Sequence, residues 1–257
     1  MKQALILGGT GDVGNGAAME LLKAGYGVIA VSRGGPKAEA LRERYSGDRF
    51  QLLEGSVADE RSAAVLLAAI RERASSVNAV VASLNVQPHR PETLLEWDSA
   101  ELLKTIHHNL ITHFVAAKTF LPVVADGGIY VGIGGGMADK IFPHYGYNSM
   151  IQSALRMMFR YIDHEAKSRR IEIRELIISA MVTTEKKQNT GDPKFNWIAD
   201  SEVGRHISAM IQDPGSFPGP VQLLNSPKGV GRSLMLPLPP PPPPPPPTGL
   251  VGAAAAS

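Results

Sequence analysis

Short apolar runs alternate along the chain with longer stretches of helical spacing. Residues 4–7, 27–31, 50–53, 79–82, 129–133 and 173–178 are brief, rich in branched side chains and closed by glycine or polar clusters. That is how strands buried on both faces of a parallel sheet read. Residues 221–224 form the last such run. Between the runs, residues 17–24 have helical spacing and stop at Gly25, a residue suited to the left-handed turn that follows a helix. Residues 60–74 are rich in Ala and Leu, and residues 98–120 place Leu102, Leu103, Ile106, Leu110 and Phe114 at helical intervals. Residues 147–167 set Ile151, Leu155, Met158 and Ile162 on one face. The alternation predicts an α/β fold with a doubly wound parallel sheet and helices on both faces.

The pattern ends near residue 236. Pro239 to Pro247 is an unbroken run of nine prolines, with alanines at 253–256. Prolines have no backbone N–H to give a sheet or helix. Residues 236–257 therefore read as a disordered, extended proline-rich tail, or as a docking peptide for a proline-reading domain, and residues 1–235 as one domain.

Composition narrows the chemistry. The 257 residues are 44% hydrophobic, enough for one sizeable core, and 26 basic against 24 acidic side chains give a net charge of +2. That balance speaks against a nucleic-acid partner. The absence of cysteine excludes disulfides, thiolate catalysis and Cys-ligated metal sites, and it suits a cytoplasmic setting. No apolar run approaches the ~20 residues of a membrane span, so no membrane partner is expected. His107, His108 and His113 share one predicted helix without metal-binding spacing, and they read as a solvated or interfacial face.

Directly after the first strand stand Gly8, Thr10, Gly11, Val13 and Gly14, followed by a helix. A tight glycine turn that feeds a helix N-terminus offers free N–H groups and a positive dipole end to a pyrophosphate. The sheet is thus Rossmann-type, and a dinucleotide is the expected cofactor. The second strand ends in Ser32 and Arg33, with Lys37 nearby, where an NAD-binding chain usually places an acid. A guanidinium pairs well with a 2′-phosphate, so NADP(H) is preferred over NAD(H). Val57 and Asn85, after the third and fourth strands, complete the cofactor set.

The middle of the chain resembles the short-chain dehydrogenase/reductase family over about residues 3–224. Ala82-Ser83-Leu84-Asn85 sits where the family has N-N-A-G, and residues 108–122 resemble the helix that carries its catalytic Asn. Residues 128–135 sit at its catalytic-Ser strand, Pro143 to Ser149 at Y-x-x-x-K, and Ile178 to Thr184 at P-G-x-x-x-T. The resemblance implies hydride transfer between a nicotinamide and a carbonyl or alcohol of a small-molecule substrate. Asn109 takes the relay role and Tyr145, or Tyr147 two residues on, the proton-transfer role. It also implies a homodimer or homotetramer through the helix after Tyr147, where Met150, Met157, Met158, Phe159 and Tyr161 spread apolar surface beyond one face. A substrate lid is implied over residues 183–201, either with Phe195, Trp197 and Ile198 facing the substrate or with Trp197 packing the following helix onto the core.

The chain departs from the family at its chemical centre. The Ser position is Gly134 or Gly135, and the Lys position is Ser149 after Tyr145 or Ile151 after Tyr147. Three readings follow. One is an NADP-dependent oxidoreductase with a modified proton relay. The second is a cofactor-binding homologue without activity that acts as sensor or interaction protein. The third is a lyase or isomerase on the same scaffold.

Overall fold

The computed structural model describes residues 1–45, 47–86, 92–138, 140–184 and 196–235. The proline-rich tail lies outside the described residues.

Seven parallel strands form the central sheet. They are β1 (Gln3–Leu7), β2 (Gly27–Ser32), β3 (Phe50–Glu54), β4 (Val77–Ala82), β5 (Val124–Gly135), β6 (Glu172–Ile178) and, last in the chain, β9 (Val221–Leu224). Their order is β3-β2-β1-β4-β5-β6-β9. The chain therefore reverses its direction of winding between β1 and β4, the switch point where open α/β sheets hold ligands. The apolar runs predicted these strands because the central ones are covered on both faces, whereas β3, at the sheet edge, leaves Gln51 and Glu54 exposed. One apolar layer joins the sheet to α3 (Glu60–Arg71), α5 (Thr112–Phe120) and α6 (Gly146–Ala166), with Phe120, Tyr130, Leu155 and Phe159 fully buried. The other packs α1 (Asp12–Lys23) and α7 (Asp200–Gln212) on the opposite face, around Ile6, Leu21, Ile207 and Met210.

The crossing of α1 and α7 is set by glycine. A Cβ on Gly204 would run into the carbonyl oxygen of Gly16, and one on Gly16 into that of Asp200. Gly25 has φ +87°, the left-handed stop expected after α1.

Several expectations change. The predicted helix over residues 98–120 is α4 (Ser99–Ile106), a π turn (His107–Ile111) and α5. The wide turn rotates the following residues about the axis. A helix α2 (Pro36–Arg44) fills a stretch with no apolar period, since only Ala38 and Leu41 are buried. Of the segment expected to form a lid, residues 183–184 and 196–201 are among the described residues. Met181–Thr183 (β7) pairs in parallel with Trp197–Ala199 (β8), and Ile198 is fully buried in the core rather than facing a substrate. Phe195 lies outside the described residues. His113 is also fully buried, not solvated.

Candidate active site

A groove of about 510 Å³ opens at the C-terminal ends of β1 to β4. Gly8, Thr10, Gly11, Ser32, Arg33, Val57 and Asn85 line it, together with Lys37, Ser83, Val86, His108 and Thr112. Seven of the nine residues expected to meet a cofactor therefore surround one space.

The glycines of the loop divide by what occupies their Cβ side. Gly8 turns the chain at φ +82°, and a Cβ there would strike the carbonyl of Ser83. Gly14 is required by the loop itself, because its Cβ would collide with the carbonyl of Gly8. Gly14 lets α1 approach the turn, and it is not part of the groove lining. Val13, likewise outside the lining, packs against the apolar layer beneath. Gly11 differs. A Cβ there would meet only Gly8 O, at an ordinary 3.5 Å, so nothing in the protein demands a bare Cα. Gly11 lines the groove and caps α1 without a side-chain hydrogen bond. The cradle is open on the side from which a diphosphate would reach the first N–H groups of α1.

At the end of β2, Ser32 Oγ accepts from Gly34 N–H (3.0 Å) and fixes the turn that carries Arg33. Arg33 and Lys37 are both exposed and both line the groove. The carboxylate of Glu54 lies close to Gly34 but does not line the groove.

The wall formed by residues 84–86 is held from the π turn and α5. Asn109 Nδ2 donates to Val86 O (2.9 Å) and Thr105 O (3.0 Å), and Asn109 Oδ1 accepts from Val86 N–H (2.7 Å). Both amide protons of Asn109 are thereby engaged, and the side chain acts as a clip on the groove wall. One turn on, His113 Nε2 lies 2.9 Å from Leu84 O. Burial lowers the His113 pKa to about 4, so the ring is neutral at pH 7 and donates to that carbonyl. His108, on the widened turn, and Thr112, the first residue of α5, also line the groove, although the sequence alone did not assign them to the site.

Tyr145 caps α6 and is partly exposed. Tyr147 is buried against Trp97, with ring centroids 4.7 Å apart, and its ring lies 6.3 Å from that of Tyr145. Burial, and then Tyr145, push the Tyr147 hydroxyl above its usual range, which makes it a weaker acid. No ammonium stands four residues after either ring. Ser149 Oγ donates to Lys140 O (3.1 Å), and Ile151 is buried. At the end of β5, a Cβ on Gly134 would collide with Glu175, and one on Gly136 with Ser179. Gly135 alone of the three has room. Its Cβ would sit 3.4 Å from Gln152 Cδ, in ordinary contact. Of Gly134 and Gly135, the two positions that could stand for the serine of the resembling pattern, only Gly135 has room for a side chain without a shift of its neighbours.

A family model described as enoyl-(acyl carrier protein) reductase matches residues 10–210. Carbonyl reductase family member 4 of Danio rerio is 22% identical over 185 residues, which cover 72% of this chain and 77% of that protein. Among solved structures, a short-chain dehydrogenase/reductase of Serratia marcescens superposes with a TM-score of 0.76 at 18% identity, over 87% of this chain and 96% of the other. An alcohol dehydrogenase of Thermococcus sibiricus complexed with 5-hydroxy-NADP gives 0.75 at 21% identity, over 88% and 97%. At these identities the structural likeness speaks to the fold.

Proposed function

Given that the chain belongs to the short-chain dehydrogenase/reductase family, we propose that it is an NADP(H)-dependent oxidoreductase that interconverts a carbonyl and an alcohol on a small molecule. The observation that carries this reading is the groove. An open glycine cradle at the start of α1 meets Arg33 and Lys37 at the end of β2, and no carboxylate lines the space between them. Thr10, Gly11 and the first turn of α1 hold the diphosphate. Ser32, Arg33 and Lys37 hold the 2′-phosphate, and Val57, Asn85 and Val86 flank the adenine and ribose. Asn109 and His113 keep that last wall in place.

A nicotinamide held in the groove would supply the hydride that reduces the substrate carbon. Tyr145 then gives the alkoxide oxygen its proton in the reducing direction and draws a replacement from solvent. Tyr145 is the better donor of the two rings because it is partly exposed, whereas burial holds the proton more tightly on Tyr147. We place the chain in the cytoplasm as a homodimer or homotetramer joined across α5 and α6. Ile111, Phe114, Met150, Met157 and Tyr161 are between 37% and 61% exposed there.

The test is a fluorescence titration of the full chain with NADPH and with NADH, followed by NADPH oxidation against a panel of ketones and aldehydes. NADPH is expected to bind more tightly than NADH, and Arg33→Glu to reverse the order. Failure to bind either nucleotide refutes the reading.

A further inference from the structure

Beyond the groove, the C-terminal end of β5 carries a polar chain that the cofactor reading leaves unused. The Gly135 N–H donates to Gln152 Oε1 (2.5 Å), and Gln152 Nε2 donates to Asn148 Oδ1 (3.4 Å). Asn148 Nδ2 then donates to the thioether sulfur of Met137 (3.2 Å). Asn148 and Gln152 lie one helical turn apart on α6 and are only partly buried. The last paired residues of β4 and β5 are Ala82 and Gly132. Three positions further on stand Asn85, in the groove wall, and Gly135. The amide chain therefore begins on the strand next to the nucleotide groove, at the strand ends where α/β sheets take their substrates.

Two features mark this chain as more than a helix tether. A thioether is a weak acceptor, so Asn148 has an amide donor matched to a second-rate partner among the described residues. A carbonyl oxygen presented there would bind it better. In addition, Gln152 is pinned through its oxygen by a main-chain N–H. Its amide must then present Nε2 to Asn148 Oδ1, which turns the Asn148 NH2 away from Gln152 and toward the Met137 sulfur. The order of donors along the chain is thus set by one backbone group.

We propose that Asn148 is the donor that receives the substrate oxygen and that Gln152 is its positioning residue. An amide pair four residues apart then occupies the station at which the resembling pattern has its Tyr and Lys, beside Gly135 in place of Ser. An amide polarises a carbonyl without exchanging a proton, so the proton comes from Tyr145, one turn earlier in the chain. The inference rests on the oxidoreductase reading and predicts its substrate class. The substrate is a ketone or aldehyde electrophilic enough to be reduced with a neutral donor, such as a 1,2-dicarbonyl or a β-keto ester.

The experiment uses the full chain with Asn148→Ala, Gln152→Lys and the pair N148Y/Q152K. NADP+ binding is measured first. Ethyl acetoacetate is then titrated into the NADP+ complex, with tryptophan fluorescence as the readout. Asn148→Ala is expected to weaken the ester at least fivefold while leaving NADP+ within twofold. N148Y/Q152K is expected to raise kcat for NADPH oxidation with 2,3-butanedione at least tenfold and to add a fall in rate at high pH from the new phenol. Thermal melts verify that each variant folds. The proposal is overturned if Asn148→Ala binds the ester as the parent does, or if a folded, NADPH-binding N148Y/Q152K gains no turnover. Absence of NADP+ binding in the parent chain overturns the underlying oxidoreductase reading instead, and the same titration reveals it.

Discussion

Gly11 and Gly14 stand three residues apart in one loop, yet the structure gives them opposite sensitivities. At Gly11 the backbone is extended, φ −77° and ψ 160°, a conformation alanine accepts. Its new Cβ would meet only Gly8 O at 3.5 Å. Alanine is a poorer helix cap than glycine by about 1 kcal/mol, and a stiffer unfolded chain returns roughly 0.4–1 kcal/mol. The net change in stability for Gly11→Ala is therefore about 0.5 kcal/mol or less, a shift in Tm of about 2 °C or less at this chain length. The same methyl stands where the diphosphate approaches the start of α1. The diphosphate would lose at least one charge-assisted hydrogen bond, worth about 1.5–3 kcal/mol, and part of its attraction to the helix end. Together these weaken NADPH by about 30- to 300-fold. Gly14→Ala drives its Cβ into the Gly8 carbonyl and must move the loop or α1. Overpacking of that kind costs about 1–3 kcal/mol, a fall in Tm of several degrees. Differential scanning fluorimetry and NADPH titration of the two variants decide the matter. A Gly11→Ala chain that binds NADPH like the parent, or that melts as early as Gly14→Ala, refutes the cradle.

Three further outcomes follow from the packing. Gly204→Ala should lower Tm by several degrees without altering nucleotide affinity, because its Cβ meets Gly16 O at the α1–α7 crossing, away from the groove; an unchanged melting curve contradicts it. His113 and His206, each with a pKa lowered to about 4 by burial, are neutral when folded but protonate near pH 6.5 once unfolded. Stability is therefore full above about pH 6.5 and is lost as pH falls toward 4, by about 2 kcal/mol per histidine at pH 5. Urea melts at pH 7 and pH 5 measure the difference, and His113→Gln should remove about half of it. Met157→Glu with Tyr161→Glu should convert the oligomer to a monomer by light scattering, since it charges the exposed face of α6; an assembly of unchanged mass would place the interface elsewhere.

The strands were legible because a strand covered on both faces has no polar side to interrupt its apolar run. Residues 129–133 show the limit of that signal. The run marks only the covered part of β5, which begins at Val124 and bends at Gly127 (φ +74°). α2 was invisible because a helix that buries two side chains needs no stripe. β7 and β8 were invisible for another reason. Each has three residues, and each gains its partner only through tertiary pairing, which no local window contains. The groove lining was legible in Gly8, Thr10, Gly11, Ser32 and Arg33, since these residues sit in the short turns that directly follow β1 and β2.

The reacting half was harder to read because side-chain identity was a poor guide to position there. Two tyrosines near the start of α6 drew the assignment, while the geometry that defines the station is the free space at Gly135. Of Gly134, Gly135 and the following Gly136, only Gly135 has room for a side chain, and the group beside that space is Gln152. Spacing on a helix then designates Asn148, not Tyr145 or Tyr147, as the residue on the same side one turn earlier. The consequence is chemical. A Tyr–Lys pair couples oxygen binding to proton transfer in one group, whereas the proposed arrangement divides the two tasks. Asn148, an amide that does not titrate, would hold the oxygen, and Tyr145 would supply the proton. A site divided in this way depends on the substrate's own electrophilicity for much of its rate.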